Sequence, residues 1–263
     1  MPGNSEFILV GESGWRRGLN NLLDNEFAGW WKTRMWWIQC LIWTCIPTFI
    51  LGNLIINSKN FDFTEGIMFY SIFAGVFPAI GVVVIMQDAL VGEKSTGTIA
   101  WVLSKPVARP AIILSKLVSN SVGVLTTMVV VPGAFMYVLL SIASKTLLNP
   151  LTFIEAWGII FLCHLFYLTY TLMLGAFFNS RGPVIGLALG LLFLQQYLIG
   201  LLPIFRYLLP WTLAIPLNNE NNAIVPNLLA GQMVTSYLPL LGVAVECVLF
   251  VLISLWRFNR EEF

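Results

Sequence analysis

Charge is what this sequence has least of. Only 10% of its 263 residues are charged, 58% are hydrophobic, and the net charge is +1 at pH 7. A soluble domain of this length carries roughly a quarter charged residues. The deficit excludes a large soluble core and points to a polytopic membrane protein. A net charge so near zero also lacks the basic field that nucleic acid requires, so no nucleic-acid partner is expected. Cys40, Cys45, Cys163 and Cys247 all fall inside apolar stretches, and no pair has zinc-ligand or redox spacing. They read as small buried hydrophobes. Residues 1–18 lack the apolar core and small-residue cleavage site of a secretory signal. There is no internal repeat and no low-complexity linker, so one membrane domain is the simplest division.

A nucleotide-binding loop is missing too, although the chain first suggests one. The run Gly92-Glu93-Lys94-Ser95-Thr96 looks like the end of a Walker A motif, but Lys94 follows Glu93 and not glycine, and Gly92 lacks a partner glycine five residues earlier, where Gln87 stands. A phosphate cradle needs closely approaching backbone amides, and a carboxylate at Glu93 would repel the phosphates. This loop does not bind ATP, and the chain is not expected to be an enzyme by itself or to hold any cofactor or metal.

What the chain has in abundance is long apolar runs. Six are long enough to cross a bilayer, which takes about 20 residues: roughly Trp36–Ile56, Gly66–Met86, Ile112–Ile142, Phe153–Phe178, Pro183–Leu202 and Ser236–Trp256. The expected fold is an all-α integral membrane protein with six transmembrane helices. Pro47, Pro78 and Pro132 lie within spans and favour kinks there. With both termini inside, Arg16, Arg17, Lys32, Arg34, Lys94, Lys105, Arg109, Lys116, Arg181, Arg257 and Arg260 face inward, and only Lys59, Lys145 and Arg206 face outward. The positive-inside rule therefore places both termini in the cytoplasm.

The resulting division is a cytoplasmic N-terminus over 1–35, the six-span domain over 36–256 and a short tail over 257–263. Before the first span, Leu19, Leu22, Leu23, Phe27, Trp30 and Trp31 recur at helical spacing, opposite Asn20, Asn21, Asp24, Asn25 and Lys32. This reads as an amphipathic helix in the membrane interface. Between the last two spans, residues 203–235 carry two short apolar pieces, Tyr207–Leu217 and Ala223–Val234, around the polar turn Asn218–Asn222. Pieces too short to span suggest re-entrant or interfacial helices on the outer face.

The loop over 87–110 holds most of the charge in the middle of the chain. Gly97-Thr98 breaks the preceding helix, and Ile99, Trp101, Val102 and Leu103 form a short apolar run. Ser104-Lys105-Pro106 ends that run, and Arg109-Pro110 opens the third span. The expected product is a short cytoplasmic helix bearing an exposed tryptophan, suited to docking a partner.

The order of residues here resembles the permease subunits of type-2 ABC exporters. Glu93, Gly97, Thr98, Leu103, Ser104, Pro106, Val107, Arg109 and Lys116 match the pattern of the loop after their second span. The resemblance implies two paired permeases, as homodimer or heterodimer, above two separate ABC ATPase subunits that bind ATP and Mg. It implies that the amphipathic N-terminal helix is a connecting helix and that the 87–110 loop contains a coupling helix. ATPase contact and coupling are thereby assigned to Asp24, Glu26, Asp88, Glu93, Gly97, Thr98, Trp101, Leu103, Lys105, Pro106 and Arg109. It also implies export across a bacterial plasma (inner) membrane, with membrane lipid around the spans. The apolar spans suggest an amphipathic, lipid-like, peptide or drug cargo.

Four polar residues inside the spans are candidates for the pathway or gate: Glu246, His164, Gln195 and Gln196. Packing by hydrogen bonds is the rival role for each. His164 with Glu246 is too few ligands for a metal site. Two other function classes remain. A lipid-modifying membrane enzyme needs clustered Asp, His, Ser or Cys at the interface, and the inner loops offer Asp88 and Glu93 but no histidine and no paired-Asp metal motif. An ATP-independent carrier or channel is expected to pair interrupted spans in two related halves, and only the 203–235 region is interrupted here.

Overall fold

The computed structural model describes residues 14–58, 61–217 and 223–262, and every regular element among them is helical. Lys59, the turn at 218–222 and the start of the chain lie outside the described residues. In chain order, a short amphipathic helix α1 (Leu19–Trp31) precedes the first long apolar helix, α2 (Met35–Asn57). Next come α3 (Phe63–Met86), the short α4 (Val91–Ser95) and the short α5 (Thr98–Leu103). The third long segment is α6 (Arg109–Val124) and α7 (Val131–Ser144), joined by a π-helical stretch over Leu125–Val130. Then come α8 (Pro150–Phe177) and α9 (Arg181–Leu201), two short helices α10 (Trp211–Ala214) and α11 (Ile224–Leu229), and finally α12 (Leu238–Asn259). Six segments are long and apolar enough to cross a membrane: Met35–Asn57, Phe63–Ser95, Arg109–Ser144, Pro150–Phe177, Arg181–Leu201 and Leu238–Asn259. We number them spans 1 to 6.

Span 4 is the axis of the bundle. Its apolar 18-residue stretch is 72% buried against 17% for that of span 1, and it packs on α3, α6, α9, α11 and α12. Its start is set locally: the Asn149 side chain accepts from the Leu151 amide at 3.0 Å, and Pro150 occupies the first turn, where no amide donor is needed. Asp62 opens α3 in the same way, accepting from the Thr64 amide at 2.9 Å. The three span prolines behave differently from one another. Helices α2 and α3 run unbroken through Pro47 and Pro78. Pro132, in the first turn of α7, is the one preceded by a departure from α-helical geometry, the π turn that ends at Val130. Proline cannot donate to the carbonyl four residues back and its ring crowds that carbonyl; a wider turn relieves both.

The segment before span 6 is shorter in helix than expected. Ile215 is extended because Pro216 comes next, so α10 stops at Ala214. Helices α10 and α11 bury Thr212, Leu213, Ala214, Ile224, Val225 and Leu229 against α3 and α8. One cysteine expectation fails: Cys163 and Cys247 are buried, but Cys45 is exposed on the outer face of α2 and Cys40 is half-buried. Span 1 sits at the rim of the bundle, so a small residue there faces outward as readily as inward.

Candidate functional site

Helix α1, the α4–α5 loop, the join between spans 4 and 5 and the end of span 6 meet at one end of the bundle, and ionic contacts tie them together. Gly97 starts α5 in the left-handed region at φ 71, a conformation costly for other L-residues. Thr96 closes the turn, its hydroxyl donating to the Gly92 carbonyl at 3.0 Å and pairing with the Thr98 hydroxyl at 2.8 Å. Helix α5 is two-faced. Ile99 is buried, and Val102 and Leu103 pack against the core. Trp101 stands out at 62% exposed, with the Lys105 ammonium 3.4 Å from its ring centroid. The Ala108 amide then donates to the Arg17 carbonyl at 2.9 Å, pinning the end of the loop to the segment before α1.

Behind α5 lies a buried cation. Lys116, on the second turn of α6, has a side chain only 5% exposed, and its ammonium donates to Glu26 of α1 at 2.8 Å and Glu93 of α4 at 2.6 Å. Three separate elements thus share one charge. Four residues further along α6, Asn120 accepts from the Trp30 indole at 3.1 Å. Trp30 lies so flat against span 3 that a Cβ at Gly123 would overlap its ring. The apolar stripe expected on α1 therefore splits, with Trp30 turned inward and Trp31 outward.

Two further ion pairs hold the loop. Arg181 at the start of α9 meets Asp88 at 2.7 Å, with side chains 58% and 47% exposed. Such open pairs contribute about 0–1 kcal/mol. Lys94 meets Glu261 at 2.8 Å with both side chains largely buried, and also donates to the Ala176 carbonyl at the end of α8 at 3.0 Å.

Residues 49–263 match the family model described as ABC-2 family transporter protein. The chain belongs to the ABC-2 transporter family. It is the transmembrane component of an ABC-2 type transporter, and this permease carries no ATPase activity itself. Membership in the family implies association with ATPase subunits. The match begins inside span 1 and covers the whole α4–α5 loop, while α1 precedes it. A comparison with curated proteins gives no match.

In this ABC-2 permease the residues expected to contact an ATPase divide in two. Gly97, Thr98, Trp101, Lys105, Pro106 and Asp24 are exposed at the loop end. Glu26, Glu93, Leu103 and Arg109 point inward, and Asp88 is held by Arg181. Arg109 donates to the carbonyls of Phe258, Asn259 and Glu261. The four intramembrane candidates are not brought together into one group. His164 is fully buried in α8, facing the backbone of Ala74 in α3 without a hydrogen bond of good geometry at either ring nitrogen. Gln195 is buried and donates to the Leu192 carbonyl at 3.1 Å, while Gln196 beside it is exposed. Glu246 is half-buried on α12. Two apolar grooves, of about 560 and 410 Å³, run along α8 and share Phe161 and Leu165; none of the four candidates lines either.

Lys116, Lys94, Trp30, Asn120 and Glu261 are the site residues that the sequence assignments left out. Lys116 carried a signal: an ionisable residue within a membrane-length apolar segment is a functional candidate by default. The others lie at ordinary places in the sequence, and only the fold gives them partners.

Proposed function

We propose that this chain is the membrane half of an ATP-driven exporter in which α5 is the coupling helix and α1 the connecting helix. The observation that carries the reading is the Lys116 cluster. One buried ammonium joins α1, α4 and span 3, and α4 packs on the short helix whose tryptophan is exposed. A push on Trp101 is transmitted to span 3 because the elements between them share charge and do not merely touch. On this reading the end bearing both termini is cytoplasmic, the membrane is a bacterial plasma membrane, and ATP and Mg belong to the ATPase partners. A second permease, identical or related, completes the pathway, and α10 with α11 form part of an outer gate. Glu246, His164, Gln195 and Gln196 are the polar residues proposed to line or steady that pathway. The cargo is amphipathic or lipid-like, a peptide or a drug.

The test is the double substitution Trp101→Ala and Lys105→Ala in the chain purified with its ATPase. Both side chains are exposed, so folding is preserved. A docking tryptophan contributes about 2 kcal/mol or more, so ATPase affinity should fall at least roughly tenfold. Undiminished affinity with normal ATP-driven transport would remove α5 from the coupling role.

A further inference from the structure

By sequence, residues 257–263 are a short polar tail after the last span. In the folded chain Phe258 and the Glu261 side chain of that tail are enclosed, while Asn259, Arg260 and Glu262 are exposed. Lys94 and Glu261 form an ion pair with side chains 6% and 11% exposed. Fifteen residues further on, Arg109 donates through Nη1 to the carbonyls of Phe258 at 3.3 Å, Asn259 at 2.9 Å and Glu261 at 2.6 Å. The Phe258 side chain beneath them is fully buried. These carbonyls lie in the last turn of α12 and just beyond it, where helical acceptors have no helical donor of their own. A guanidinium there satisfies them and is favoured by the negative end of the helix.

The position of the two cations matters more than their strength. Lys94 lies just before α5 and Arg109 just after it, so both feet of the loop stand on the end of span 6. The same Lys94 reaches the Ala176 carbonyl at the end of span 4. Lys116, in contrast, ties the loop to α1 and span 3. The loop therefore has two independent roots.

We propose that the C-terminal turn of α12, through Glu261 and its neighbouring carbonyls, is a positioning clamp that passes displacement of the α5 loop to span 6. The clamp itself stands on geometry alone; its part in transport rests on the exporter reading. Without it, displacement of α5 would reach span 6 only indirectly, through the packing of α12 on α6 and α8.

Two measurements on the full-length chain separate these parts. The first is amide hydrogen exchange in lipid nanodiscs for wild type, Glu261→Gln and Glu261→Lys. Exchange over 91–103 should rise about threefold in Glu261→Gln and about tenfold in Glu261→Lys, while α1 keeps its wild-type rate. A general loss of structure would raise both regions together, and that result, or wild-type exchange over 91–103 in Glu261→Lys, overturns the clamp. The second is transport per ATP hydrolysed by the chain assembled with its ATPase. Glu261→Gln should bind the ATPase normally and lose at least about threefold in that ratio, since the Lys94 half of the span 6 root loses its ion pair while the Arg109 half, made to backbone carbonyls, stays. An unchanged ratio overturns the role in coupling. Failure of the wild-type chain to assemble with any ATPase refutes the exporter reading instead, and the exchange measurement still decides the clamp.

Discussion

Replacing Lys116 with methionine isolates the buried cluster at little cost in volume. The substitution leaves Glu26 and Glu93 facing the space the ammonium filled, with no cation between them. Removing one partner of a fully buried pair costs about 3–5 kcal/mol. Here the two carboxylates are 20% and 32% exposed, so water recovers part of that loss. The net cost is about 2–3 kcal/mol. For a chain of this size, that lowers an apparent melting temperature by roughly 4–10 °C. The decisive comparison is the triple variant Lys116→Met, Glu26→Gln, Glu93→Gln, which removes all three charges. An apolar or amide replacement of a whole buried ion cluster is often close to neutral, so the triple variant should recover most of the loss. Thermal unfolding in a mild detergent reads both variants, and exchange at the α1 amides shows whether the loss is local to the docked helix. If the single and triple variants melt together, stranded charge is not the cause and the electrostatic account of the cluster is wrong.

The same geometry sets four other outcomes. Gly123→Leu drives a side chain into the Trp30 ring, an overpacking cost of about 1–3 kcal/mol, and should speed exchange across α1 about tenfold while α8 stays protected. Gly97→Ala meets open space but a positive φ, so it should loosen α5 by about 1 kcal/mol, and Gly97→Asn by less; equal effects would argue against backbone strain. Asn149→Ala removes the cap of the central helix and should lower stability by about 1 kcal/mol, seen as a small drop in melting temperature. Glu246→Gln should leave the melting temperature within about 2 °C, because the side chain is only half-buried, yet reduce transport if the residue lines the pathway; unchanged transport would return it to a packing role.

The spans were legible because membrane helices announce themselves in one dimension. Every apolar run of sufficient length became a helix, and the boundaries moved by about three residues or fewer except at span 2, which runs on through α4 to Ser95. The α5 helix was equally legible, since Gly97 and Pro106 are local punctuation and act through their own backbones. The failures share a cause. Cys45 points outward because span 1 is peripheral, and peripheral position is a property of the assembled bundle. The π turn before Pro132 distinguishes that proline from Pro47 and Pro78, although all three lie within similar apolar sequence. For Arg109 the sequence supplies a family pattern, and only the fold adds that its guanidinium donates to the carbonyls at 258, 259 and 261.

The placement of charge at the loop end has a physical logic that no single segment contains. An apolar bundle cannot hold its connecting loops by hydrophobic contact alone, because lipid satisfies apolar surface as well as protein does. Position has to come from polar contacts, and these hold best where water is scarce and geometry is demanding. The three cations that grip the loop or its surroundings from inside, Lys94, Arg109 and Lys116, all emerge from the same stretch of chain on either side of α5. Apart from Glu93 of α4, their partners come from elsewhere, from α1, the end of span 4 and the end of span 6. The outer surface of α5 is left with Trp101 and Lys105, which make no such commitment. In the proposed exporter, a loop anchored from within and presenting an aromatic surface outward receives force at one face and divides it among several spans.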